Sequence, residues 1–346
     1  MPNARIILGL MTYGPDTEKG ARVTDLDEFK KALDLFQSYG YDEVDTARIY
    51  VGGLQEGHTR KAGWKERGLK LATKVYPFQP GIHKAETITE LFETSLKELG
   101  TDSVDILYLH AADRSVPFAE TLEAVDKLHK AGKFKRLGLS NFTAFEVAEV
   151  VLTCKYNGWV RPSIYQGMYN LILRSIEAEL IPACRRYGLD VVVYNPIAGG
   201  LLSGKITSTA DKDIPTEGRY SDKFNKGSSR ARYWRDGTFA AIDELREVAA
   251  KHNTTMIEIA LRWLKHHSAL DIEGKEFNDG ILIGASSYEH LESNLKDLEK
   301  GPLPQEILDA VDAAWLTAKV DTAPYWHLDL KYTYDTQAEL FGEGKK

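Results

Sequence analysis

Only two cysteines, Cys154 and Cys184, occur in 346 residues, too few for a disulfide framework or a cysteine zinc site. Positive charge is not in surplus: the formal net charge is -7, which argues against nucleic-acid binding, because neutralising phosphates demands a basic surface. Long hydrophobic runs are missing as well. The opening "MPNARIILGLMTYG" carries too short an apolar stretch for a signal peptide, and no segment approaches the length of a membrane span. No Pro/Ser/Gly-rich linker, low-complexity run or clear repeat marks a boundary. These absences predict one domain over residues 1–346, a reducing cytoplasmic address and small-molecule partners, with neither nucleic acid nor membrane among them. A homodimer is an allowed assembly.

What is present alternates. "RIILGLMT" reads as a strand, and "DLDEFKKALDLFQSYG" as a helix with Phe29, Leu33 and Phe36 on one face. "YDEVDTA" precedes "GHTRKAGWKERG", and "LKLATKV" precedes "TITELFETSLKELG". That last helix is expected to open with a Thr87–Glu90 capping box, to bury Leu91, Leu96 and Leu99, and to stop at Gly100. "VDILYLH", "KRLGLS", "SIYQ", "LDVVVYN" and "GILIGA" continue the series, each followed by a helical stretch.

Eight strands each followed by helix predict a parallel sheet with right-handed crossovers. That many repeats match a closed (β/α)8 TIM barrel, over about 5–300, with a long connection after strand seven and a C-terminal extension over about 301–346. A doubly wound sheet is the competitor, but its GxGxxG fingerprint appears nowhere.

Chemistry in such a barrel sits at the C-terminal ends of the strands. The polar residues falling there are Asp45 and Tyr50, then Lys74, His110, Ser140 with Asn141, Gln166 and Tyr194. A phenol titrates near 10 and is a poor acid at neutral pH; a nearby ammonium is expected to lower that value, with an aspartate holding the ammonium. A histidine at the same oxygen positions a carbonyl, so the set can donate a proton to a nascent alkoxide. A source of hydride is then needed, and a nicotinamide supplies one. Nucleophilic catalysis is less well supported, since no G-x-S-x-G elbow surrounds Ser140. No metal site is expected: His266 and His267 are adjacent and cannot share a helix face.

In this order, "DTARIY", "LATKV", "LYLH", "GLSNF", "YQGMYN", "YNPIAGGLLSGK" and "GASSYEHLESN" resemble the aldo-keto reductase family, most of all its aflatoxin-aldehyde-reductase-like branch of fungal type. The likeness covers roughly 5–294. It implies a catalytic tetrad of Asp45, Tyr50, Lys74 and His110, with Tyr50 the general acid, and NADPH bound across the barrel mouth in preference to NADH. By the same resemblance Ser140, Asn141 and Gln166 hold the nicotinamide carboxamide and Tyr194 stacks on the ring. Ser286, Ser287, His290 and Asn294 surround the adenosine 2'-phosphate, without the lysine or arginine that many members place there. Val51 stands where much of the family has glycine after the tyrosine.

"NPIAGGLLSGK" approaches the P-loop pattern GxxxxGK[ST], but Ile206 replaces the hydroxyl residue that would bind Mg²⁺. The resemblance instead implies that Leu201, Gly204 and Lys205 contact cofactor phosphates. The connection between Ser203 and Gly237 holds Lys205, Lys212, Arg219, Lys223, Lys226, Arg230, Arg232 and Arg235 against five acids. It reads either as a solvated basic loop or as a lid presenting Arg219 or Arg232 to an anionic substrate. Tyr13, Tyr76 and Trp234, with Met11 and Trp326, are candidates for the substrate pocket. The expected activity is reduction of aldehydes, aromatic or acid-bearing, to alcohols. The alternative is a cofactor-binding regulatory subunit resembling potassium-channel β subunits.

Overall fold

In the computed structural model, which describes residues 4–210, 214–216, 218–222, 228–274 and 276–342, the strand-like runs close on themselves. The strands are β1 (Arg5–Gly9), β2 (Glu43–Asp45), β3 (Lys70–Val75), β4 (Val104–Leu109), β5 (Phe134–Ser140), β6 (Pro162–Met168), β7 (Asp190–Tyr194) and β8 (Gly280–Gly284). Neighbours in sequence are neighbours in space, every pairing is parallel, and β8 returns to β1 with Arg5 opposite Gly280. The expected (β/α)8 barrel is the fold.

Helices α1 (Leu26–Ser38), α2 (Gln55–Lys61), α3 (Ala85–Leu99), α4 (Phe118–Lys130), α5 (Ala144–Asn157) and α6 (Leu180–Tyr187) connect successive strands. The long connection after β7 contains α7 (Ser228–Tyr233), α8 (Asp236–Lys251) and α9 (Met256–His266); α10 (Tyr288–Leu298), α11 (Gln305–Lys319) and α12 (Thr336–Phe341) follow β8. Of the basic residues in that connection, Lys212, Lys223 and Lys226 lie outside the described residues. No helix among the described residues is long and apolar enough to cross a membrane.

Two apolar layers result. Phe29, Leu33 and Phe36 of α1 join the large cluster between strands and helices, as their helical spacing requires. Ile7, Ala72, Ile106, Tyr108, Ile164 and Val192 fill the barrel itself. Tyr108 takes so much of that interior that a Cβ on Gly138 would fall 2.2 Å from its ring. The packed plug closes the barrel below the rim, so polar side chains at the strand ends sit on an apolar floor.

One helix start departs from expectation. Thr87 and Glu90 form no capping box, because α3 already begins at Ala85, with no side-chain cap on Lys84. The Ala85 N–H instead donates to Glu120 of α4 at 3.1 Å. Leu91 is half-buried, while Ile88 and Phe92 carry the buried face beside Leu96 and Leu99. A true capping box stands at Thr143 and Glu146 of α5. The C-terminal extension also contains more than a tail: α11 packs along α8, with Thr317 donating to Glu244 at 2.9 Å.

Candidate active site

Parallel strands point their carboxyl ends to one rim, and there the chain gathers Asp45, Lys74, Tyr50 and His110. Lys74 is fully buried and Asp45 2% exposed. Lys74 donates to the Asp45 carboxylate, to the Thr46 carbonyl at 2.8 Å and to Tyr50 Oη at 3.3 Å. Gln166, reaching from the opposite side of the barrel, donates Nε2–H to the other Asp45 oxygen at 2.9 Å. The His110 ring lies edge-on to Tyr50, centroids 5.8 Å apart.

The electrostatics follow from burial and this pairing. Burial opposes charge on Lys74, yet Asp45 and Tyr50 together hold its ammonium above the ordinary lysine value. Burial acts the other way on Tyr50: it raises the phenol above its usual 10, outweighing the opposing pull of Lys74. Lys74 does pull the value down as expected, but the net shift is upward because burial is the larger effect. Loss of water around the phenol costs the phenolate more than one ammonium returns, so the hydroxyl keeps its proton at neutral pH. Burial, with Lys74 adding to it, pushes His110 well below 6.5, so its imidazole is neutral, and its buried Nδ1 has no hydrogen-bond partner among the described residues.

The next strand ends form a shelf beside this cluster. Ser140 pairs with Gln166 across β5 and β6. Asn141, in the left-handed region with φ 59°, donates to the His110 carbonyl and to Ser140 Oγ, both at 2.9 Å. Its Oδ1 accepts from Tyr194 Oη at 2.8 Å. The Asn141 amide, one Gln166 N–H and a lone pair of Ser140 Oγ are thus engaged within the protein, leaving the Ser140 O–H as a donor and the Gln166 oxygen as an acceptor for a polar ligand.

Two segments that could hold phosphates leave the adjacent strands β7 and β8. After β7, Gly199 and Gly200 are left-handed, Gly204 closes the turn at φ 74°, and no described residue comes within 4 Å of the place of a Cβ on Gly200. Lys205 is exposed there, whereas the Leu201 side chain is in the core. After β8, Ser287 caps α10 by accepting from the His290 N–H, and Ser286 Oγ lies 2.9 Å from His290 Nδ1. Asn294 is buried, its amide directed to the Gly284 carbonyl.

The residues expected to line a substrate pocket divide. Tyr76 stands edge-on to His110, centroids 5.2 Å apart. Arg219 donates to Asn195 Oδ1 at 3.1 Å and lies near Met11. Among the described residues no carboxylate pairs with Arg219 or Arg232. Tyr13 is turned elsewhere: it is fully buried with its ring 4.6 Å from Phe29. Trp234 is held in the packing of its own loop, donating Nε1–H to the Thr209 carbonyl and resting between Tyr220 and Phe239. Trp326 packs edge-on to Tyr325.

His327 escaped the sequence reading. The tail carries it to the mouth, where Nε2 accepts from Arg232 and lies 3.2 Å from Tyr194 Oη, and its ring faces Tyr76. Burial, reinforced by Arg232, lowers its pKa to about 3. The tail is strapped down by buried Arg114, which grips Glu146 with two nitrogens and donates to the carbonyls of His327 and Asp329. Tyr332 Oη donates to the same Glu146 at 2.7 Å. The only local signal was aromatic density in "YWHLDLKYTY".

Known proteins share this design. Residues 5–316 match the model of the aldo/keto reductase family. An aldo-keto reductase of Pseudocercospora fijiensis is 44% identical over 85% of this chain and 99% of its own. Human aflatoxin B1 aldehyde reductase member 2 is 38% identical over 91% of this chain and 87% of its own. The crystal structure of an aldo/keto reductase from Klebsiella pneumoniae, in complex with NADP and acetate, superposes with a TM-score of 0.64 at 26% identity, covering 90% of each chain. With a parallel eight-stranded barrel and this extent of similarity, the chain belongs to the aldo/keto reductase family.

Proposed function

We propose that this protein reduces aldehydes to alcohols with NADPH, Tyr50 acting as general acid. The observation that carries the reading is the Tyr50 phenol 3.3 Å from Lys74 Nζ, itself paired with buried Asp45. The donor set suits a nicotinamide dinucleotide: Ser140 and Gln166 for the carboxamide, Tyr194 for the ring, the glycine turn with Gly204 and Lys205 for the pyrophosphate. Ser286, Ser287 and His290 at the start of α10 suit the 2'-phosphate, since a helix N-terminus and hydroxyls favour an anion. Bound NADPH supplies the hydride.

The chain's own residues do the rest. Neutral His110 orients the carbonyl by a hydrogen bond from its ring. Tyr50, protonated because of its buried setting, gives its proton to the carbonyl oxygen as negative charge develops there. Lys74 then stabilises the phenolate left behind, and Asp45 with Gln166 keeps Lys74 aimed. Tyr76 offers an aromatic wall, and Arg219 and Arg232, which pair with no carboxylate among the described residues, suit a substrate acid group. Aldehydes bearing an aromatic ring or a carboxylate are the proposed class.

The test is titration with NADPH and NADH by tryptophan fluorescence, followed by loss of NADPH absorbance across a panel of neutral, aromatic and carboxylate-bearing aldehydes. Tighter binding of NADPH and turnover with the latter two groups are expected. Bound cofactor with no turnover of any aldehyde would reject the reductase reading in favour of a cofactor-binding subunit.

A further inference from the structure

Immediately after Tyr50 the backbone does something costly. Val51 sits at φ 50°, ψ 44°, and Gly52 and Gly53 follow at φ 59° and 87°. Among the described residues Val51 is the one β-branched side chain at positive φ, a conformation in which its two methyl groups crowd the backbone. Glycine would relieve that crowding, as it does at the next two positions. Valine must therefore contribute something that glycine lacks.

Its contact is specific. The Val51 side chain is buried and pressed onto the bare backbone of Gly14: a Cβ on Gly14 would fall 2.9 Å from Cγ2 and 3.1 Å from Cγ1. Gly14 is itself anchored, its N–H donating to the Val23 carbonyl at 3.1 Å. The far side of the turn is equally confined. A Cβ on Gly52 would meet Lys19 Cδ at 2.7 Å, one on Gly53 would meet the Arg48 guanidinium at 2.6 Å, and Arg48 donates to the Gly53 carbonyl. Tyr50 heads this clamped turn, its N–H held by the Ala47 carbonyl at 3.1 Å.

We infer that Val51 is a positioning residue: wedged against Gly14, it sets the backbone that aims the Tyr50 phenol at Lys74 and His110. The inference rests on the reductase reading for its kinetic consequence but not for its geometry. Rates depend steeply on such aim, because displacing a reacting group by about 1 Å can cost on the order of 100-fold.

The test uses the full chain as wild type, Val51→Gly, Gly14→Ala and the double variant Gly14→Ala/Val51→Gly. Turnover at saturating NADPH, with 4-nitrobenzaldehyde as probe, is expected to fall about 10-fold in each single variant, a fraction of the loss that misalignment can cause. The double variant should recover part of it, because a methyl on residue 14 refills the space that valine leaves. The second readout needs no turnover: ¹³C NMR of tyrosine labelled at Cζ, with Tyr50 assigned through Tyr50→Phe, should show its titration shifted in Val51→Gly without cofactor. An unshifted Tyr50 titration overturns the inference, as does additive loss in the double variant. If the wild type turns over no aldehyde, the reductase reading fails and the NMR arm alone decides this one. Should Val51→Gly not fold, Val51→Ala, which also removes the two methyl groups that press on Gly14, takes its place with the same expected outcomes.

Discussion

Arg232 donates from its guanidinium to the imidazole of His327, 95 positions further along the chain. That bond joins the connection after β7 to the C-terminal tail directly above the Tyr194 hydroxyl. It requires a neutral imidazole, since a protonated ring has no lone pair to accept with. The mouth of the barrel is therefore framed by two segments distant in sequence, which also pack together where α11 runs along α8.

Replacing Arg114 with Gln should release the tail. The substitution leaves Glu146, buried between α5 and the tail, without its cation, and breaking a buried pair costs about 3–5 kcal/mol. Limited proteolysis should then cut first between 323 and 335, and the denaturation midpoint should fall. A wild-type cleavage pattern would show that Arg114 does not hold the tail.

Acid should weaken the same region. His83, His110 and His327 are all held below the ordinary 6.5 by burial, His327 at about 3. Below 6.5 the unfolded chain binds protons that the folded one refuses, so stability drops as pH falls from about 6.5 towards 3. Melting temperature at pH 5 should lie below that at pH 7.5, and His327→Gln should show a smaller drop. An equal drop in the variant would remove His327 from this account.

Tyr50→Phe removes the proposed acid while keeping the ring. Turnover should fall by at least ~100-fold, the scale of a lost general acid, with NADPH affinity little changed. Unaltered kcat would reject the proton-donor role.

Lys74→Met tests the floor of the site. It strands the Asp45 carboxylate in a buried place, with an expected destabilisation of about 3–5 kcal/mol. Lys74→Met/Asp45→Asn should regain part of that loss, because no buried charge remains unpaired. Urea unfolding of the two variants gives the comparison, and equal midpoints would mean that Asp45 is already neutral.

Much of this was legible beforehand for a plain reason. Apolar spacing of 3.6 gave away α1 through Phe29, Leu33 and Phe36, and a residue at a strand's carboxyl end stays at the rim wherever the strand lies in the barrel. Asp45, Lys74, His110 and Tyr194 could be placed without coordinates on that ground alone. Thr87 and Glu90 misled because a capping box depends on where the helix backbone begins, and Ala85, capped by Glu120 of another helix, began it three residues earlier.

Chain order and hydrophobic period by themselves determined the barrel, its rim and the residues delivered there, since both act over a few neighbouring positions. Tertiary structure alone decided that Tyr13 turns into the core, that Trp234 binds its own loop, that the Tyr50 phenol titrates upward, and that His327 reaches the mouth. Each of these depends on which side chains pack around the residue, whether from its own loop or from far along the chain. Arg114 and the His327 carbonyl meet across 213 positions, and a contact of that separation leaves no periodic trace in the sequence around either partner.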